Sequence, residues 1–483
     1  MTSRRIVFGL LTAGAAVVLA ANAEAQIRKA TPKIGDPPEA GNMRLVGMSD
    51  LQARSQRQGD RYYAYIGHHG GTPQVPQPMN PLTGKPEYNG TSILDVTDPA
   101  NVQYLAHIPG EMGFAEDGGA QMVRVCSGAE LPKGNKSAFY MLRTFGNSAH
   151  EIWDVTNPGT PKLLVRLDGL KGTHKNWWEC DTGIAYLVSG VDGWRVPRMT
   201  QIYDLSDPTK PVFIRNFGLP GQQPGTTGVV PTQLHGPIST GPKGNRVYFG
   251  YGTSAGGVIQ IVDREKLLNG PKEPTNENLL YPQVGRLEMT PLVGAHTTYP
   301  LLGVPVPQYT RDTISPKRDF LMIVDESTAN ECQQARQLVW FADITVEDKP
   351  MVVSNYQAPE VDGDFCRRGG RFGSHSSNES FAPVYYGKLA FISYFNGGVR
   401  TIDIRNPMNP REVGFFIPSI TDKTDSRCIK VDGKDQCKYA IQTNNVETDD
   451  RGYVYIVDRA NTGLHVLEIS GEAREIAGLP PLR

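Results

Sequence analysis

The sequence predicts an all-β protein: a single seven-bladed β-propeller of four-stranded antiparallel blades. Three observations predict it. First, one pattern recurs along the chain: an alternating apolar strand ending on an acid, an Asp/Asn-Pro turn, then the start of another strand. It is clearest at residues 398–410 (GVRTIDIRNPMNP) and returns at 91–99, 150–158 and 200–208, with weaker copies at 258–263, 338–344 and 464–469. Second, the acids that end these strands, Asp95, Asp154, Asp204, Asp263, Asp343, Asp403 and Glu468, are spaced by between 50 residues (Asp154 to Asp204) and 80 (Asp263 to Asp343). That is one four-stranded blade plus variable loops. Third, 52 Gly and 37 Pro divide the chain into many short segments, as β-rich proteins with frequent turns require.

At 483 residues the chain has the length of two or three domains. Blades share one ring and bury no core alone, so the repeat reduces this to one domain, 43–483. Residues 26–42 are polar and aperiodic, and are expected to be a flexible lead-in or a strand that helps close the ring. Residues 1–25 read as a cleaved signal peptide: Arg4 and Arg5, an apolar run from Ile6 to Ala20, and small-x-small sites ending at Ala23 and Ala25. The apolar run is shorter than the roughly 20 residues of a membrane span, and no later segment is long and apolar enough to be one. A periplasmic or extracellular protein follows. A net charge of −1 gives no global attraction to nucleic acid or anionic lipid, so neither is an expected partner.

Six cysteines in an exported chain point to disulfides, and no CxxC is present. Cys428 and Cys437 flank a polar hairpin and are the first pair. Cys332 with Cys366 and Cys126 with Cys180 follow only by elimination, so the connectivity stays open.

Taken in order, 62–67 is a buried strand, 68–71 opens a long loop, and 92–96 and 102–107 complete the first blade. Later blades repeat an apolar inner strand, a loop, the acid-bearing strand, the Pro turn and an outer strand. The inner strands are placed at 138–142, 185–189, 247–251, 320–324, 389–393 and 454–458, each after a polar Gly, Asn or Asp turn. Residues 297–317 of the fifth blade read as a surface insertion. The anchor acid is expected to accept backbone N–H groups of the following turn. Repetition favours that over catalysis, since chemistry needs one site and architecture needs seven.

The unit strand-Asp-(Ile/Val/Leu)-(Ser/Thr/Arg)-(Asp/Asn)-Pro-x-x-Pro resembles the LVIVD-repeat family of exported β-propeller proteins. Residues 185–188 and 389–393 also look like that family's inner strands, and the resemblance runs from about 43 to 469. It implies architecture; a propeller hosts many functions, so it implies no activity. The copies at 258–263 and 464–469 lack the Asp-Pro turn and depart from the pattern.

Four of the nine histidines, His174, His235, His296 and His375, fall at one recurrent place ahead of an inner strand. Asn444 and Asn445 take that place in the seventh blade and Gln121 in the second. If the blades superpose, these residues ring one level of the central channel. Four imidazoles facing an axis suit a transition metal such as Cu, Zn or Fe. The competing reading is that they hydrogen-bond blade to blade and simply fill the channel. Glu179 is the candidate carboxylate ligand or general base, and Arg371 the candidate anion binder; a strand-end acid and a blade-bridging Arg are the plainer alternatives. His68 and His69 form a second candidate site in a face loop, whereas His107, His150 and His465 read as surface or packing residues. No phosphate loop, GxSxG, HExxH or CxxCH motif is present.

Two functions survive. The first, which the repeat favours, is a binding or scaffold protein holding a protein partner or small-molecule ligand on loop-rich faces and in the channel. The alternative is a metal-dependent enzyme, an oxidoreductase, with the four histidines as ligands.

Overall fold

In the computed structural model, residues 27–49, 54–72, 75–313 and 315–482 are described. The signal peptide expected at 1–25 lies outside them. Five separate four-stranded antiparallel sheets follow one another along the chain. The first is Arg54–Gln58, Arg61–Gly67, Gly90–Asp95 and Gln103–Pro109. The second is Val123–Ser127, Phe139–Phe145, Ala149–Asp154 and Lys162–Leu167. The third is Asn176–Trp178, Ile184–Ser189, Met199–Asp204 and Val212–Phe217. The fourth is Leu234–Ser239, Arg246–Tyr251, Val258–Asp263 and Gln283–Glu288. The fifth is Thr297–Pro305, Lys317–Val324, Val339–Asp343 and Met351–Tyr356.

A nine-stranded sheet holds the rest of the ring. One half is Phe372–Ser377, Leu389–Phe395, Val399–Asp403 and Arg411–Ile417, extended by Glu39–Gly41. The other is Thr443–Thr448, Tyr453–Asp458 and Leu464–Ile469, completed by Met43–Ser49 from the other end of the chain. The halves meet at Phe395 and Thr443. First strands of successive sheets touch in order, and Thr443–Thr448 touches Arg54–Gln58, so the circle closes in a propeller-like arrangement. The lead-in at 26–42 is not wholly flexible. Glu39–Gly41 is paired, and buried Glu39 accepts a 2.8 Å hydrogen bond from Arg368 Nη1.

Two expectations are corrected. The strands placed innermost, such as 185–189 and 247–251, are second in their sheets. The first strands touch around the circle, and Leu234–Ser239, Phe372–Ser377 and Thr443–Thr448 carry Gly, Ser, Asn and His where they line the axis. Those three lack the apolar alternation by which strands are recognised. Thr297–Pro305 is likewise no surface insertion but the first strand of the fifth sheet.

Between sheets, apolar faces interlock: Phe249 packs against Phe217 of the third sheet with ring centroids 5.4 Å apart. Arginines cross the same seams. Arg143 pairs with Glu151 at 2.8 Å and donates to the Ile108 and Pro109 carbonyls of the first sheet. Arg246 grips Glu347 of the fifth sheet through two 2.7 Å bonds. Such bidentate pairs satisfy donors that burial would otherwise leave unpaired.

The anchor acids behave as the turn chemistry predicts. Oδ1 of Asp95, Asp154, Asp204, Asp343 and Asp403 accepts the backbone N–H two residues on, at 2.8–3.1 Å. Asp263, whose copy lacks the Pro turn, instead caps the helix Arg264–Asn269 through Lys266 N. Three disulfides form, Cys126–Cys180, Cys332–Cys366 and Cys428–Cys437. Among the described residues no helix is long and apolar enough to cross a membrane.

Candidate metal centre

The first strands carry their side chains to the axis. His235 lies in Leu234–Ser239 and His375 in Phe372–Ser377, while His174 and His296 stand just ahead of Asn176–Trp178 and Thr297–Pro305. Local sequence makes room for this. Gly373 has φ +145°, and a Cβ there would meet Ser327 Cβ at 2.9 Å, so the strand bearing His375 can sit against the fifth sheet only with glycine at that position.

The four imidazoles form a continuous row. Ring centroids are 4.5 Å apart for His174 and His235, 3.6 Å for His235 and His296, and 4.5 Å for His296 and His375. His174 Nε2 and His235 Nε2 are 2.7 Å apart. His235 Nδ1 donates to the His296 carbonyl at 2.9 Å, and His375 Nδ1 donates to the Asn444 carbonyl. Those bonds place the proton on Nδ1 and leave an Nε2 lone pair toward the cavity. They also tie one sheet to the next. Blade-to-blade bonding and ligand geometry are therefore two sides of the same rings.

Glu326 stands beside them, its Oε2 4.0 Å from His296 Nε2 and its Oε1 3.8 Å from His375 Nε2. His235, His296 and Glu326 each offer a ligand atom within 4.8 Å of the others. Burial holds all four imidazoles well below their ordinary range, with Arg198 adding to the effect at His174 and Lys175 at His235. Neutral rings are the form that binds a cation. Burial raises the Glu326 carboxyl, against the pull of Arg371, whose Nη1 lies 3.0 Å from Oε1. At Glu116, burial is outweighed by His69, Arg459 and Arg198, and the carboxyl lies below its usual range.

The cavity offers about 520 Å³ of atom-free space, part of it open to solvent, and its walls include the four histidines, His69, Glu116, Glu326 and Arg459. With imidazole and carboxylate donors around a polar space, it can hold a transition metal.

The LVIVD repeat family model matches residues 384–417, which span Leu389–Phe395, Val399–Asp403 and Arg411–Ile417. The chain carries an LVIVD repeat. A search of curated proteins found no match. Among solved structures, the chain is similar to Chaetomium thermophilum Sqt1, with TM-score 0.45 and 8% identity over 89% of this chain and 99% of that one. It is also similar to a 6-phosphogluconolactonase candidate from Bacteroides fragilis, with TM-score 0.44 and 12% identity over 85% and 94%. The designed protein Ika8 gives TM-score 0.41 and 8% identity over 88% and 99%.

In this LVIVD-repeat chain the four predicted histidines come together, and His69 and Asn445 line the same cavity. Arg371 sits at its edge, bound to Glu326. Two candidates lie elsewhere. His68 is turned to Ser92 Oγ at 2.8 Å and packs toward His107. Glu179 is not in the cluster: Arg264 Nη2 and Nε bind it at 2.7 and 2.9 Å, and Ser239 Oγ at 2.6 Å, so it joins the third and fourth sheets. Sequence reasoning missed Glu326 and Arg459. A signal existed: with His69 they sit one or two residues past the second strands Lys317–Val324, Tyr453–Asp458 and Arg61–Gly67, where the chain turns over the axis.

Proposed function

We propose that this is an exported, single-domain, seven-bladed propeller whose central cavity binds a transition-metal ion through His174, His235, His296 and His375, with Glu326 beside them. The seven blades are the five separate sheets and the two halves of the nine-stranded one, forming one domain over 43–483. Three disulfides support a periplasmic or extracellular setting. The observation that carries the metal reading is the convergence of four neutral imidazoles from four consecutive sheets, two of them with Nδ1 committed to backbone carbonyls.

The donor set favours redox chemistry. Two imidazoles and one carboxylate are the ligands of non-haem iron oxygenases, and imidazole-rich sites also suit copper. An iron or copper ion would supply one-electron chemistry. The protein holds His235 and His375 in fixed tautomers. A second reading, a scaffold that docks a protein on its loop faces, is favoured by the repeat and by Val229, 94% exposed in the loop before Leu234.

Elemental analysis of the mature protein, purified without chelators or a histidine tag, separates them. The metal reading expects a stoichiometric ion that is lost in the His235→Ala, His375→Ala double variant while the fold is retained. No bound metal after incubation with copper, zinc and iron overturns it and leaves the histidines as channel architecture.

A further inference from the structure

We infer that the cavity also takes an anionic ligand, a small organic carboxylate, held by Arg459 with Arg371 and Arg198 beside the histidines. Arg459 carries the inference. Its side chain is 12% exposed and lines the cavity. Its nearest carboxylate oxygens, on Glu116 and Glu326, are 3.8 and 4.0 Å away, beyond hydrogen-bond reach. Among the described residues its guanidinium makes no hydrogen bond. Three other deeply placed arginines do not behave this way. Arg143, Arg264 and Arg368 are each bonded to a carboxylate. A guanidinium has five donors in a planar fork, and taking it from water unpaired is unfavourable.

Two neighbours point the same way. Gln121, on the same wall, has a buried amide whose N and O both lack partners. Arg371 uses one nitrogen, Nη1, on Glu326 and the Ser327 carbonyl, and its other donors are uncommitted. Arg198 reaches the Gly172 carbonyl and Glu116, each at 3.2 Å. It lines an open groove that shares His235, Glu116 and Glu326 with the cavity, and so gives a ligand a way in. Three guanidiniums face Glu116 and Glu326 here, the cavity's other charged residues, Lys175 and Glu379, pair with each other, and four neutral imidazoles bring no compensating charge. A planar carboxylate fits a guanidinium fork through two parallel N–H bonds, with its second face turned to the row of histidines.

The inference rests on the metal reading only for what the anion meets at the histidines; the arginine site is testable without it. Calorimetric titration of the mature protein, metal-loaded and metal-stripped, with oxalate and separately with inorganic phosphate provides the test. We expect saturable oxalate binding in both forms. Arg459→Gln should weaken it about tenfold or more, and Arg459→Lys less, since hydrogen bonds to charged groups are the strong ones. If Arg459→Gln fails to fold, Arg198→Gln at the groove carries the test, with weakened binding at unchanged melting temperature as the expected result. Absence of saturable oxalate binding overturns the proposal, as does binding unaltered in the Arg459→Gln and Arg198→Gln variants. Phosphate binding tighter than oxalate overturns the carboxylate assignment. Oxalate binding lost in Arg459→Gln from a protein that holds no metal would uphold this site while the metal reading falls.

Discussion

The chain repeats polar residues at two places, the outer end of each acid-bearing strand and the first strand at the axis, and the two differ in kind. At the strand ends five of the seven copies make the same local bond, an Asp Oδ1 to the N–H two residues on. At the axis the bonds are long-range and unequal. His235 reaches His296, 61 residues away, and His375 reaches Asn444, 69 away. Uniform, local repetition marks a structural device. Repetition with substitution, histidine in four sheets and Asn or Gln elsewhere, marks a place where the ring has been specialised.

The largest test of this contrast is Glu179→Ala. Glu179 is a buried acid of the seam, and removing it strands the Arg264 guanidinium. A loss of about 3–5 kcal/mol in unfolding free energy is expected, the range for breaking a buried ion pair. Metal content of the folded fraction should not change. Urea unfolding with metal analysis of the same samples checks it; metal loss at wild-type stability would return Glu179 to the site.

Next in size is the metal itself. A ligand present at a thousand times its dissociation constant stabilises the native state by about 4 kcal/mol. Adding metal should therefore raise the melting temperature of the wild type and leave that of the His235→Ala, His375→Ala variant unmoved. An equal shift in both would place the ion elsewhere.

These outcomes bear on what could be read from the sequence. The anchor acids were legible because their bonds close within two residues, and period-2 alternation exposed the second and third strands. The four histidines were legible as a repeated position, but their partner Glu326 was not. It follows a different strand, and only the closing of the circle brings it within 4.0 Å of His296. Arg459 was hidden for the same reason. First strands such as Phe372–Ser377 and Thr443–Thr448, polar on the axis, lack the signal that identifies strands. Glu179 sits next to a visible motif and was misplaced because nothing local reveals Arg264, 85 residues on.

Acid sensitivity sharpens the comparison further. His150 and His465 lie in acid-bearing strands, and burial lowers each to about 4. Above pH 6.5 both are neutral in folded and unfolded chains, and their contribution to stability is complete. Between pH 6.5 and 4 only the unfolded chain takes up the proton, so stability falls by about 1.4 kcal/mol per pH unit for each. Unfolding midpoints at pH 7.5, 6.5 and 5.5 should fall steadily below 6.5, and His150→Gln should flatten the slope. A slope unaltered in that variant would show that His150 is not buried neutral.

The smallest effect belongs to the strand ends. Asp154 accepts bonds from Thr156 N at 2.9 Å and Thr156 Oγ1 at 2.6 Å, both exposed to water. Asp154→Ala should cost about 1 kcal/mol, the net worth of an ordinary hydrogen bond. Because each turn is closed by its own residues, Asp154→Ala combined with Asp204→Ala should lose the sum of the two single losses. The bound metal should stay. Non-additivity in that double variant, or metal release, would mean that the turns communicate with the axis. The division between a uniform structural rim and a specialised centre would then fail, and the seven acids would have to be read as part of the site they surround.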